Sequence, residues 1–579
     1  MKKYFFLLII ALIPAVFFLM RPNVYWNMHD DMQLIRQLSI EKCLQDGQIP
    51  CRWSPDLGYG YGYPLFNFYP PMPYIVGQVF RTFGLSFVTT VKLTALVQII
   101  AAGLAMFLLA RSLFGPMGGF LSALFYSYAP YHALNIYVRG AMNEAWAAVF
   151  FPLIFYFSRK LILESKTIHL ILLSLSFSGL LLSHNPMALT FIPFLFLWVI
   201  FFFFSSYTVF PLSLKNLFTY ILSKKQVILK LFLSGLLAIM FSAFYTLPVL
   251  FETKYVQIES MFNNYYHWSV HFTSIFQLFF SSFWGDGASV WGQQDNMSFM
   301  IGYLHWLVPL AILLIIVYKT IKLKNFNLKL YSLPILLVFL GIFAAFMTHE
   351  RSVLLWKIFT PIQKIQFPWR FLNHSLFLLS LSVGTIFSLL KIKSTKINKI
   401  VLIVLSALVL VFNLRYFTPI TSGPITDEQK FSGKAWENQI TSGIYDYLPK
   451  TAPTAAKGPA KPYIDFVVPG SVKYLIAGEK KGTDWIFFNL DLTSEAEVGL
   501  PILYFPNFVL TDYGKIIPTY PDSELGRVTT RLSAGNHQLY LKLRDTPIRT
   551  FSNYLSLITW ITVFIYFGYT LWSQKKSTK

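Results

Sequence analysis

Apolar runs recur along the whole chain, separated by short lysine-bearing stretches. A helix needs about 20 apolar residues to cross the hydrocarbon core of a bilayer. Runs of that kind fall near 4–20, 88–110, 117–135, 142–158, 168–183, 187–204, 228–250, 300–318, 330–348, 371–390, 398–415 and 551–572. The pattern therefore predicts a polytopic α-helical membrane protein with about twelve transmembrane helices. A shorter apolar stretch, 72–84, reads as an interfacial or re-entrant helix.

The lysines set an orientation. With the N-terminus inside and the spans alternating, the inner loops hold Arg111; Arg159, Lys160 and Lys166; Lys215, Lys224 and Lys225; Lys319, Lys322, Lys324 and Lys329; and Lys391, Lys393, Lys396 and Lys399. The tail carries Lys575, Lys576 and Lys579 on the same side. This is the positive-inside distribution, with both termini cytoplasmic. Phe18-Leu19-Met20 before Arg21 is no small-x-small cleavage site, so the first run reads as a retained span. The outer segments are then 21–87, 135–142, 251–299, 349–370 and 416–550.

The pattern changes in 416–550. Leu539, Leu541 and Leu543 alternate with polar positions, the period of a half-buried strand. Ser533-Ala534-Gly535-Asn536 is a turn signal, so Arg527–Leu532 and His537–Leu543 are expected as a hairpin. Further strand-like runs hold Val467, Val468, Ile486–Phe488 and Ile502–Tyr504. A small extracytoplasmic β-sandwich-like domain is expected before the last helix, with 451–462 as a linker or exposed loop. The expected organisation is 1–415 transmembrane, 416–550 β-rich, and 551–579 final helix with basic tail.

Composition agrees. Of 579 residues, 55% are apolar and only 13% charged, too few charges to cover a soluble protein of this size. The net charge of +22 sits in the inter-span clusters. It reads as orientation signal and anionic-lipid contact, with no nucleic acid implied. Walker, His-Glu-x-x-His and Gly-x-Ser-x-Gly motifs are missing, which speaks against an ATP-driven pump and the familiar hydrolases.

Candidate chemistry gathers at the outer span ends. Asn27-Met28-His29-Asp30-Asp31-Met32 follows the first span closely. Two adjacent carboxylates there need water, a cation or a catalytic task. Asp30 or Asp31 could accept a proton from an attacking hydroxyl, or hold a divalent cation such as Mg or Mn. Gly58–Pro64, with Tyr61 and Tyr63, could approach a sugar ring closely and stack on it. Arg139 and Glu144 face the outside between two spans, either as an ion pair or as a phosphate fork with a positioning acid. His184 and Arg370 lie at outer span ends, Arg370 against the inside bias. Cys43 and Cys51 could close a small disulfide ring if their loop is outside.

These motifs in this order resemble the GT-C glycosyltransferase superfamily. The residues are His29-Asp30-Asp31; Gly60 to Tyr69; Arg139-Gly140-Ala141 with Glu144; Ser183-His184-Asn185-Pro186; Phe367-Pro368-Trp369-Arg370; and Tyr504-Phe505-Pro506. Within it the chain is most similar to the bacterial membrane proteins called 6-pyruvoyl-tetrahydropterin synthase-related, relatives of the YfhO-like group. The resemblance implies transfer of a sugar from a polyprenyl-phosphate-linked donor to a glycan, lipid or protein acceptor at the outer face of the cytoplasmic membrane. Asp30 or Asp31 would be the base or metal ligand and Glu144 a second acid. His29, Arg139, His184, Arg370, Tyr61 and Tyr63 would bind substrate. Asp-Asp departs from the Asp-x-Asp that a metal-dependent member would carry. The rival expectations are a transporter or lipid flippase, and a non-catalytic envelope assembly protein.

Overall fold

The computed structural model describes residues 2–205, 213–292, 295–324, 326–390, 394–443 and 446–577. Among them, nine helices are long and apolar enough to cross a membrane: Lys3–Met20, Phe87–Ser127, Met142–Glu164, Asn185–Phe204, Tyr303–Leu323, Leu328–Phe346, Pro368–Leu390, Thr395–Tyr416 and Pro547–Thr570. The pair Lys225–Phe241 and Ala243–Tyr255, bent by 82°, makes a tenth when counted as one broken span. The chain is a multi-pass membrane protein. The expected count of about twelve is two higher, and both differences have a local cause. Thr167–Ser183 is apolar but only 17 residues long. The 41-residue helix Phe87–Ser127 is a hairpin of two arms, because Gly115 breaks it at φ 75°. Its arms close on each other: a Cβ on Gly103 would meet Ser127 Oγ at 2.5 Å, and one on Gly119 would meet Arg111 Cβ at 2.7 Å. The stretch 72–84 forms Met72–Thr82, too short to span, with Ile75, Val79 and Phe83 exposed along one face. Lys391, Lys393 and Lys579 lie outside the described residues.

The chain divides into two compact units. The first comprises Met1–Asp31, Val88–Ala238 and Phe262–Ile425. Here β1 (Val24–Trp26) pairs antiparallel with β2 (Ser422–Pro424). Asn27 N–H continues the ladder to Thr421 O at 3.1 Å. The second hairpin arm is broken beyond Ser127. Ala129 precedes Pro130 and is extended (ψ 130°), as a residue before proline prefers. A helical turn, Pro130–Ala133, and a π-helical turn, Leu134–Val138, follow. Every residue from 120 to 140 is buried.

The second unit comprises Met32–Phe87, Ile239–Met261 and Thr426–Lys579. Residues up to Ile425 stay with the first unit through β2, while 32–87 and the last helix join the strands. Cys43 and Cys51 are joined by a disulfide. One sheet has the order β3 (Phe466–Val468), β6 (Ala496–Leu503), β10 (Arg527–Leu532), β9 (Tyr520–Pro521). The other runs β4 (Tyr474–Lys481), β5 (Trp485–Leu492), β11 (Gly535–Leu543), β7 (Phe508–Asp512), β8 (Lys515–Ile517). Their apolar faces share one core, in which Phe488, Leu490, Leu539 and Leu541 meet Val498, Leu500 and Val528.

The expected hairpin does not form. Arg527–Leu532 and Gly535–Leu543 lie in different sheets, because β11 is already paired along both edges by β5 and β7. The short connection carries the chain across the core. The stretch 451–462 has no regular structure, yet it is tied down: Ala452 is buried, and Thr451 Oγ1 donates to Tyr504 O at 2.7 Å.

Candidate functional site

The broken arm and the helix beginning at Pro368 present two polar faces to one carboxylate in the first unit. Tyr131, Asn135 and Arg139 are spaced by four, so one helical face carries all three. Arg370 and Asn373 are three apart on the second segment. Glu144 lies in the first turn of Met142–Glu164, where the positive end of a helix favours an acid. It is 1% exposed and takes four donors. Tyr131 OH reaches Oε1 at 2.8 Å and Asn373 Nδ2 reaches the same oxygen at 2.7 Å. Arg139 Nη1 reaches Oε2 at 3.0 Å and Arg370 Nε reaches it at 3.4 Å.

Both arginines are held from further sides. Arg139 Nη1 also donates to Asn135 Oδ1 at 2.6 Å, and its guanidinium lies 4.4 Å from the Trp369 ring centroid. Burial works against its charge, but Glu144, Tyr131 and Asp30 outweigh that and raise its pKa above the ordinary value. Arg370 Nη1 donates to Ile365 O at 2.6 Å and to Gln366 Oε1 at 3.0 Å. Two guanidiniums thus share one buried carboxylate, leaving the cluster positive.

The acidic loop runs along this cluster. His29 N–H donates to Val138 O at 2.9 Å, and Asp30 N–H to Arg139 O at 2.8 Å. Gly140 permits the approach: its φ is 68°, and a Cβ there would strike Met28 Sδ at 2.4 Å. Asp30 is close enough for its charge to act on both Arg139 and Arg370. Unlike Glu144 it is solvent-accessible, with 48% of its side chain exposed. His29 Nδ1 lies 3.0 Å from Asp30 Oδ1. That hydrogen bond raises the imidazole pKa, against partial burial.

Asp31 points elsewhere, accepting from Tyr25 OH at 3.3 Å. His184 caps the helix Asn185–Phe204, its Nδ1 accepting from Met187 N–H at 3.2 Å. That requires a neutral imidazole, and burial, then the positive Arg370, pushes its pKa down to about 3. Tyr61 and Tyr63 belong to the second unit and are core side chains, 5% and 1% exposed. Tyr61 OH donates to Asp465 Oδ2 at 2.9 Å, and with burial this carboxylate pushes its pKa up to about 12.

Among the described residues no group of three or more His, Cys, Asp and Glu side chains is placed to hold a metal ion. Within the acidic pair, Asp30 contacts His29 and Asp31 contacts Tyr25. Tyr131, Asn373 and Asp286, whose charge reaches His29, were not singled out by the sequence. The i, i+3 spacing of Arg370 and Asn373 was the available signal for one of them.

No protein-family model matches the chain. An uncharacterised protein of Lactococcus lactis subsp. cremoris (strain MG1363) is 24% identical over 209 residues, 34% of each chain. Two crystal structures of the Archaeoglobus fulgidus oligosaccharyltransferase are similar over 79% of this chain. One is tethered to an acceptor peptide containing the NVT sequon, at TM-score 0.42 and 14% identity; the other is in complex with Zn and sulfate, at 0.43 and 15%. The chain spans about a third of the Lactococcus relative and about three-fifths of the oligosaccharyltransferase.

Proposed function

We propose that this protein is a GT-C-type glycosyltransferase of the 6-pyruvoyl-tetrahydropterin synthase-related, YfhO-like kind. It transfers a sugar from a polyprenyl-phosphate donor to a glycan, lipid or protein acceptor at the outer face of the cytoplasmic membrane. One observation carries this reading: an accessible carboxylate, Asp30, is fixed by its own backbone to a buried, net-positive Arg139–Glu144–Arg370 cluster.

Asp30 is the general base. It accepts the proton of the acceptor hydroxyl as that oxygen bonds to the anomeric carbon, and the bond from that carbon to the donor phosphate oxygen breaks. Attack opposite the leaving group inverts the sugar carbon. Arg139 and Arg370 supply positive potential for the departing phosphate, preorganised in a site that need not rearrange. Glu144 has both oxygens occupied, so its role is to anchor the arginines. Asp31 shapes the loop, neutral His184 caps a helix beside the cluster, and Tyr61 and Tyr63 support the second unit. No step is assigned to a divalent cation.

The lysine distribution and the Cys43–Cys51 pairing support an outer placement of the acidic loop. The test is to reconstitute the protein with polyprenyl-phosphate hexoses and a membrane extract. Release of polyprenyl phosphate coupled to a glycosylated product supports the proposal. Movement of the lipid across the bilayer with no covalent product contradicts it.

A further inference from the structure

A groove of about 470 Å³ opens in the first unit, lined by Phe262, Asn263, His267, Trp268, Thr360, Pro361, Gln363 and Lys364. Its volume is in the roughly 300–1,000 Å³ range of small-ligand sites. The lining identifies the ligand class. Pro361 is its one wholly aliphatic side chain, little apolar wall for an isoprenoid tail. Phe262, His267 and Trp268 supply rings and Asn263, Thr360 and Gln363 supply amide and hydroxyl groups, the combination that suits a sugar's apolar face and its hydroxyl edge. None of the eight residues is acidic, and Lys364 supplies a cation.

The groove is built to keep its shape. Trp268 is stacked on Trp356 with ring centroids 5.3 Å apart and planes within 8°. Gln363 Nε2 donates to Trp356 O at 2.8 Å, which orients the amide and leaves its carbonyl oxygen as an acceptor. His267 is positioned through Nδ1 by Ser269 Oγ at 2.7 Å. One wall, Thr360–Ile365, is joined to the charged cluster, since Arg370 donates to Ile365 O and to Gln366 Oε1.

We infer that this groove is the acceptor subsite, and that the acceptor is an acid-bearing saccharide whose carboxylate or phosphate pairs with Lys364. The inference rests on the glycosyltransferase reading and names its acceptor class. Occupying the groove would press on the 360–366 wall and so on Arg370, linking acceptor binding to the phosphate-facing cluster.

Binding is measured on the full-length Asp30→Asn protein in nanodiscs by tryptophan fluorescence, so that turnover plays no part. The probes are a glucuronic-acid-containing disaccharide, the neutral cellobiose and a short-chain isoprenyl phosphate. The acidic disaccharide is expected to bind about tenfold more tightly than cellobiose, and Lys364→Ala to remove about that factor. His267→Ala, which keeps the cation, should weaken both sugars alike. The inference is overturned if neither sugar binds saturably, if Lys364→Ala leaves the preference intact, or if isoprenyl phosphate displaces the sugar. Loss of turnover in Asp30→Asn with binding retained supports both proposals. Sugar binding without turnover in the unmutated protein retains the subsite and rejects the catalytic reading.

Discussion

The backbone N–H of Asp30 donates to the carbonyl of Arg139 at 2.8 Å. Through that bond the residue proposed to take the proton is placed by the residue proposed to face the phosphate. Both ends of the chemistry therefore depend on one short stretch, 138–140, and on the carboxylate of Glu144 behind it.

Glu144→Gln should cost stability as well as activity. Removing one partner of a buried ion pair leaves uncompensated charge and costs about 3–5 kcal/mol. Here two guanidiniums lose the same acid. Thermal unfolding in detergent should show a clearly lowered midpoint, and Glu144→Asp should recover only part of it.

Arg370→Lys should raise KM for the lipid-phosphate donor by about tenfold or more, because an ammonium cannot reproduce a planar fork. Arg370 spends Nε on Glu144 and Nη1 on Ile365 and Gln366. Titrating donor at saturating acceptor checks this. An unchanged KM would remove Arg370 from the phosphate site.

The His29–Asp30 contact makes a pH prediction. The folded imidazole has a raised pKa, chiefly from the hydrogen bond to Asp30. The stabilisation from this pair is therefore fully present below the unfolded pKa and is lost as pH rises through the folded value. Histidine-labelled NMR should show this ring titrating above about 6.5, and Asp30→Asn should bring it back toward that ordinary value.

Tyr61→Phe separates a structural role from a sugar-stacking one. Losing the hydroxyl that bonds to Asp465 should cost about 1 kcal/mol of stability while donor and acceptor KM stay within about twofold. A large KM effect would return Tyr61 to the substrate site.

Orientation is open to chemical labelling. Lys225→Cys should react with an impermeant maleimide only after the cells are opened, and Lys457→Cys without opening them. The reverse pattern would place the acidic loop inside.

Much of this architecture was legible in the sequence, because a span announces itself by length and hydropathy alone. Gly115 marks the turn that the apolar pattern located between 110 and 117. The strands were visible as alternation, but strand partners were not: Leu539, Leu541 and Leu543 show which face is buried, not which edges are free. Asp30, Arg139, Glu144 and Arg370 were each readable as charges stranded at outer span ends. Their convergence was not, because it depends on how the arm broken at Pro130 turns against the helix starting at Pro368. The burial of Tyr61 and Tyr63 was not legible either. A glycine-tyrosine run reads as a backbone able to approach a partner closely, and here the partner of Gly62 is Trp53: a Cβ there would lie 2.2 Å from the indole nitrogen.

The central claim is that Asp30 takes the acceptor's proton. The most direct measurement is the transfer rate of a labelled hexose from polyprenyl phosphate by Asp30→Asn protein that folds, inserts and binds donor normally. The account predicts a fall in kcat of about 100-fold or more with donor affinity unchanged. A variant that transfers sugar at the unmutated rate would contradict it.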